Sequence, residues 1–179
     1  MGWFDRKFGK KPAAPSKVFM RFNGLIRVSD PPDGPGWQWL EDERHGADFQ
    51  VQEIKFRLAG EPMPMMLYAK VVSLANGNGE TMETLRSRDW RKELAGLFGS
   101  VDKIETSEIK HALLRESVEG IEVRVDGTHA PSGAPLRLRE RRIPGWNALY
   151  VITAVGPVPA FQAALRDVER WFASVVFEG

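Results

Sequence analysis

The feature that most limits the folds open to this chain lies near its end. From Ala160 to Val176 the apolar residues Phe161, Ala164, Leu165, Val168, Trp171, Phe172 and Val175 recur at the three- and four-residue spacing of a helix with one apolar stripe. Just before it, Ala148 to Val155 is apolar on both sides, as a central strand is, and Gly156-Pro157-Val158-Pro159 ends that strand. A stripe of that width must be covered, so the pair predicts a helix laid on a sheet.

The rest of the chain supplies the sheet. Leu25 to Val28 and Trp37 to Leu40 read as short strands joined by the rigid turn Asp30-Pro31-Pro32-Asp33-Gly34-Pro35-Gly36. Phe49 to Leu58 alternates in each half but changes phase between Val51 and Ile54, which predicts a bulge or bend there. Met65 to Leu74 follows as a largely apolar strand, and Asn76-Gly77-Asn78-Gly79 as a loop. Between Thr81 and Phe98 the period becomes helical, with Leu85, Trp90, Leu94, Leu97 and Phe98 on one side, Thr81 or Ser87 as cap and Gly99 as stop. Strands are predicted again over Ile104 to Leu114, Ile121 to Asp126 and Leu136 to Ile143. The second of these alternates Ile121, Val123 and Val125 strictly with Glu122, Arg124 and Asp126, which fits a half-exposed antiparallel sheet.

With 179 residues, one core suffices and residues 18–179 read as a single α+β domain. Residues 1–17 read as a separate, flexible lead-in, basic and proline-containing. It admits a second reading: Trp3, Phe4 and Phe8 on one side of a short helix, with Arg6, Lys7, Lys10 and Lys11 on the other, form an anchor for an anionic membrane surface. Arg6 stands where N-myristoylation prefers serine or threonine. No stretch reads as a signal peptide or a membrane span, so the expected location is the cytoplasm.

The closing elements resemble the PsbP-like superfamily, which includes the Ran-binding Mog proteins, the DcrB proteins and the Eag-type chaperones of type VI secretion. The resemblance is carried by Val118-Glu119-Gly120-Ile121-Glu122-Val123-Arg124-Val125, by Leu136 to Ile143, by Leu149-Tyr150-Val151-Ile152-Thr153-Ala154, and by a last helix closing on Trp171-Phe172-Ala173-Ser174-Val175-Val176-Phe177. It implies a three-layer α/β/α sandwich, an antiparallel sheet between helices, in a group made mostly of binding and accessory proteins.

Candidate chemistry is sparse. The absence of cysteine excludes disulfides, thiolate metal sites and cysteine nucleophiles. His45, His111 and His129 have no partner at metal-ligand spacing, and Glu41 to Asp48 around His45 reads as a solvated acidic turn. No serine stands in a nucleophile elbow and no glycine-rich loop carries the lysine of a phosphate cradle, so no catalytic residue, cofactor or metal is expected. On a strand, Arg137, Arg139 and Arg141 line one face, suited either to a carboxylate or phosphate ligand or to a ladder with Glu122 and Asp126. The net charge of +1 and the lack of aromatics within this run argue against nucleic acid. Trp37 and Trp39 alternate onto one side, and Met63, Met65 and Met66 form a second adaptable stretch; exposed together, they make a surface for an apolar peptide. The leading expectation is a non-enzymatic protein-binding module, an adaptor, accessory subunit or secretion-type chaperone. The alternatives are a peripheral membrane scaffold component held by Trp3, Phe4 and Phe8, and an enzyme whose site gathers His45, Glu43 and His111.

Overall fold

The computed structural model describes residues 19–21, 26–45, 49–74, 80–113, 116–145 and 147–178. Among the described residues ten strands form one sheet: β1 (Phe19–Arg21), β2 (Ile26–Val28), β3 (Trp37–His45), β4 (Phe49–Leu58), β5 (Met65–Leu74), β6 (Phe98–Leu113), β7 (Glu116–His129), β8 (Pro135–Pro144), β9 (Ala148–Pro157) and β10 (Val175–Phe177). Their order is β1-β2-β10-β6-β7-β8-β9-β5-β4-β3, and every pairing is antiparallel except β10 with β6. In the same residues four helices interrupt the strands: α1 (Met82–Arg86), α2 (Trp90–Leu94), α3 (Val158–Ala163) and α4 (Leu165–Ser174).

The expected three-layer sandwich is therefore corrected, and with it the α+β architecture that the resemblance implied. Strands of up to 16 residues dominate, and no helix exceeds ten. Each of the two long helices expected from the apolar periodicity is broken. In the first, Thr81 and Thr84 form a capping box, but Ser87 Oγ bonds back to the Glu83 carbonyl at 3.0 Å and Asp89 starts a new helix by accepting from the Lys92 N–H. Side chains that compete for local backbone groups favour such ends over helix interiors. In the second, Ala164 leaves helical values at φ −94° and ψ 14°, and α4 begins anew behind it. Gly99 is no helix stop but part of β6, and the bulge expected in β4 is absent: its register with β3 and β5 runs unbroken. The phase change at Val51 to Ile54 has another cause. Ile54 and Phe56 turn one way into a core, whereas Val51, half-buried, lies on the other side of the strand.

The first core lies on the face carrying Ile54, Phe56, Met65, Leu67, Ile143 and Ile152, where α3 and α4 pack through Phe161, Val168, Trp171 and Phe172. Trp171 is wholly buried and meets Phe56 edge to face at 5.6 Å. The second core lies on the opposite face, where Leu85, Trp90 and Leu94 of α1 and α2 cover Ile121, Val123, Val125, Leu136 and Leu138. The turn at 29–36 is fastened to α4. Arg170 pairs with Asp30 and Asp33, Ser174 Oγ donates to the Asp30 carbonyl at 3.2 Å, and Trp37 Nε1 donates to Asp167 at 2.8 Å.

At Gly127 the start of β6 closes tightly on β7. A Cβ there would lie 2.1 Å from the Ser100 carbonyl oxygen and 2.9 Å from the Phe98 ring, beside register shifts in β6 between Phe98 and Ser100 and between Val101 and Lys103. Backbone cannot yield as a flexible side chain does. Gly127→Ala should therefore cost roughly 1–3 kcal/mol in urea unfolding, whereas Gly96→Ala, where a Cβ meets open space, should stay within about 0.5 kcal/mol.

Candidate functional site

Alternation on β7 buries Ile121, Val123 and Val125 in the second core, so Glu122, Arg124 and Asp126 face the first-core side. The register then sets charge in three rows across β6, β7 and β8: Lys103, Asp126 and Arg137; Glu105, Arg124 and Arg139; Ser107, Glu122 and Arg141. The predicted arginine run thus lines one face, and each of its members is engaged. Arg137 donates from Nε and Nη2 to the two oxygens of Asp126 at 2.6 and 3.0 Å. Arg141 Nε donates to Glu122 at 2.6 Å, and Arg139 reaches Glu122 at 3.2 Å through Nη2 and Glu169 of α4 at 2.8 Å through Nη1.

The same guanidiniums carry the helices. The Phe172 ring centre lies 4.3 Å from the Arg139 guanidinium carbon and 5.0 Å from that of Arg141, while Arg141 Nη1 donates to the Phe172 carbonyl at 3.2 Å. Arg137 sits 5.9 Å from the Phe161 ring. These contacts turn a charged sheet face into a bed for an apolar helix. Burial pushes the Glu122 carboxyl up, but hydrogen bonds from Arg141, Arg139 and Arg124 outweigh it and hold the group at about 2.

Beyond Arg139 the helices and the sheet part, leaving a cavity of about 250 Å³. Its outer wall is Lys103, Glu105 and Arg124, and its helix wall is Phe161, Leu165 and Glu169. Leu165 follows the break at Ala164 and is 49% exposed, against the expectation that the whole stripe is buried. The cavity thus has an apolar side and a rim of both charges.

In fold, the chain is similar to LpqN. The crystal structure of that Mycobacterium tuberculosis protein, described as involved in cell envelope biogenesis, matches with a TM-score of 0.56 over 93% of this chain and 87% of LpqN. At 11% identity the likeness is one of fold. No family model and no curated protein matches the sequence.

The other predicted site residues are divided by the sheet. Trp37 and Trp39 share the first-core face: Trp37 is half-buried, and Trp39, opposite Phe56, is 45% exposed. Met65 is buried in that same core, whereas Met63 and Met66 pack against the second. The tryptophans and methionines therefore do not form one patch. His45 belongs to β3, not to an acidic turn, and five strands separate it in the sheet from His111 on β6. His129 closes a turn by its Nδ1 contact with Ser132 Oγ at 2.9 Å. Trp3, Phe4 and Phe8 lie outside the described residues. Among the described residues no helix is long and apolar enough to cross a membrane. Sequence reasoning missed Lys103, Glu105 and Glu169 as groove residues. Lys103 and Glu105 share a phase of β6 and so one face, but only the register with Arg124 and Asp126 reveals which.

His111 is 7% exposed beside Phe177, with ring centroids 5.8 Å apart, at the junction of β6 and β10. Burial, aided by the positive charge of Arg141, lowers its pKa to about 4. Two windows of acid lability follow. An unfolded histidine takes a proton near 6.5 while the folded one resists until about 4, so stability falls by roughly 3 kcal/mol as pH drops through that range; His111→Phe should flatten this limb of a pH series of urea midpoints. Glu122 contributes stability above its ordinary value of 4.5 that is lost as pH falls towards 2. Glu122→Gln should remove that second limb and, at neutral pH, cost about 3–5 kcal/mol by stranding buried guanidiniums.

Proposed function

We propose that this chain is a non-catalytic protein-binding module that seats a partner in the groove between the charged rows of β6, β7 and β8 and helices α3 and α4. The observation that carries the reading is Leu165, an exposed apolar side chain set among Lys103, Glu105, Arg124 and Glu169 at the mouth of the cleft. An apolar contact ringed by both signs of charge is the chemistry of a protein interface, where a central apolar residue supplies affinity and the rim supplies orientation.

The charges deeper in the groove are committed to one another: Asp126 to Arg137, and Glu122 to Arg124, Arg139 and Arg141. They hold the walls in place, and the pairing leaves the buried carboxylate fully ionised at neutral pH, a poor acid and a weak base. At about 250 Å³ the cavity falls just below the roughly 300–1,000 Å³ of small-molecule sites, and it suits side chains of a partner.

A photo-crosslinking amino acid placed at Leu165 of the intact chain tests the reading. It should give a discrete protein adduct in cells that Lys103→Glu diminishes, while the same probe at exposed Ala95 on the far side of the second core gives none. Absence of an adduct at Leu165, or equal labelling from both positions, would overturn it.

A further inference from the structure

β6 is the longest strand in the sheet, and most of one side of it is open. β7 pairs along the other side from Phe98 to Leu113, but β10 meets β6 only where Phe177 stands opposite Leu113. Among the described residues no strand covers the outer edge from Ile104 to Ala112. The two ends of that edge are defended. Register shifts distort it before Lys103, the Arg91 guanidinium donates to the Val101 carbonyl at 2.8 Å, and β10 closes the far end. Between these ends the register with β7 is regular, and Glu105, Thr106, Ser107 and Glu108 are all exposed. Proteins blunt edges by bulges, covering segments and charged side chains; here the bulges and covering segments stop on either side of one stretch, whose main chain is left to side chains such as Glu105 and Glu108.

Hollows flank this stretch on both faces. On the first-core face is the groove at Lys103, Glu105 and Arg124. On the opposite face a cavity of about 200 Å³ lies between α1 and β6, walled by Leu85, Trp90 and Ile121 and rimmed by Arg86 and Glu108. A shallow open dish at Glu105, Thr106, Ser107 and Arg124 joins the first hollow to the edge. Successive side chains of an extended strand point to opposite faces, so a strand added at β6 would send alternate residues into the two hollows.

We propose that β6 takes up an extended segment of the partner protein as an eleventh strand, one that alternates apolar with acidic residues. Its apolar side chains enter the cavity walled by Leu85, Trp90 and Ile121. Its carboxylates face Lys103 and Arg124, which remain 62% and 59% exposed in their pairs with Glu105 and Glu122. The inference deepens the module reading and rests on it: the groove seats the partner, and the edge supplies main-chain hydrogen bonds beside it.

The test is hydrogen exchange of the full chain with an acetylated, amidated peptide of five Val-Glu repeats. Slowed exchange confined to Ile104 to Lys110 is expected. It should vanish when alternate peptide amides are N-methylated in one phase but not in the other. Lys103→Glu, which breaks only an exposed pair with Glu105, should weaken binding by up to about fivefold, and a Val-Lys peptide should bind less well than Val-Glu. No protection at about 1 mM peptide, protection elsewhere such as along β3, or indifference to N-methylation in both phases would overturn strand addition. A Leu165 adduct alongside any of these would leave the module reading standing, whereas loss of the adduct with protection of β6 would overturn the groove alone.

Discussion

The charged half of the first-core face depends on one buried carboxylate. Glu122 is 2% exposed and meets Arg124, Arg139 and Arg141. A lone carboxylate at that depth would be prohibitively costly, and so would the guanidiniums without it. Together they form a compact polar layer flat enough for Phe172 to lie on and for Phe161 to approach. The position of α3 and α4, and with it the groove at Leu165, follows from this layer. The face is polar in composition and yet works as a packing surface, because the charges meet one another and the guanidinium carbons lie 4.3–5.9 Å from the ring centres.

The sheet buries something different at each place it is covered. On one side α1 and α2 close a conventional apolar core through Leu85, Trp90 and Leu94, with Arg142 held between Trp90, Glu93 and Glu140 at its margin. On the other, the apolar half of the sheet around Trp171 gives way to the charged half around Glu122. The exposed opening falls at that transition. Short helices leave much of a large sheet uncovered, and at the middle of β6 α1 reaches across through the Arg86–Glu108 ion pair without covering the strand's edge.

Strand positions were largely legible, since alternation such as Ile121 to Asp126 is a local property of each segment. The sharing of a face by Arg137, Arg139 and Arg141 was legible for the same reason. Helix continuity was not: the stripe over 160–176 has the right period, but Ala164 bends the chain and Leu165 comes out exposed, a local departure that periodicity averages over. Nor was the separation of Trp37 from Met66 legible, because alternation tells which residues share a face within a strand and nothing about which faces of distant strands coincide.

From its residues alone it follows that this chain builds a sheet with amphipathic cover, that it lacks every thiol-dependent chemistry, and that its arginines stand in line. Each is set by inventory or by local spacing. That Glu122 neutralises that line, that the cover is broken into short helices, and that among the described residues β6 keeps an open edge between two hollows emerges with folding. Those outcomes depend on register between segments far apart in the chain, and register is chosen by the simultaneous burial of both faces of the sheet, which no single segment encodes.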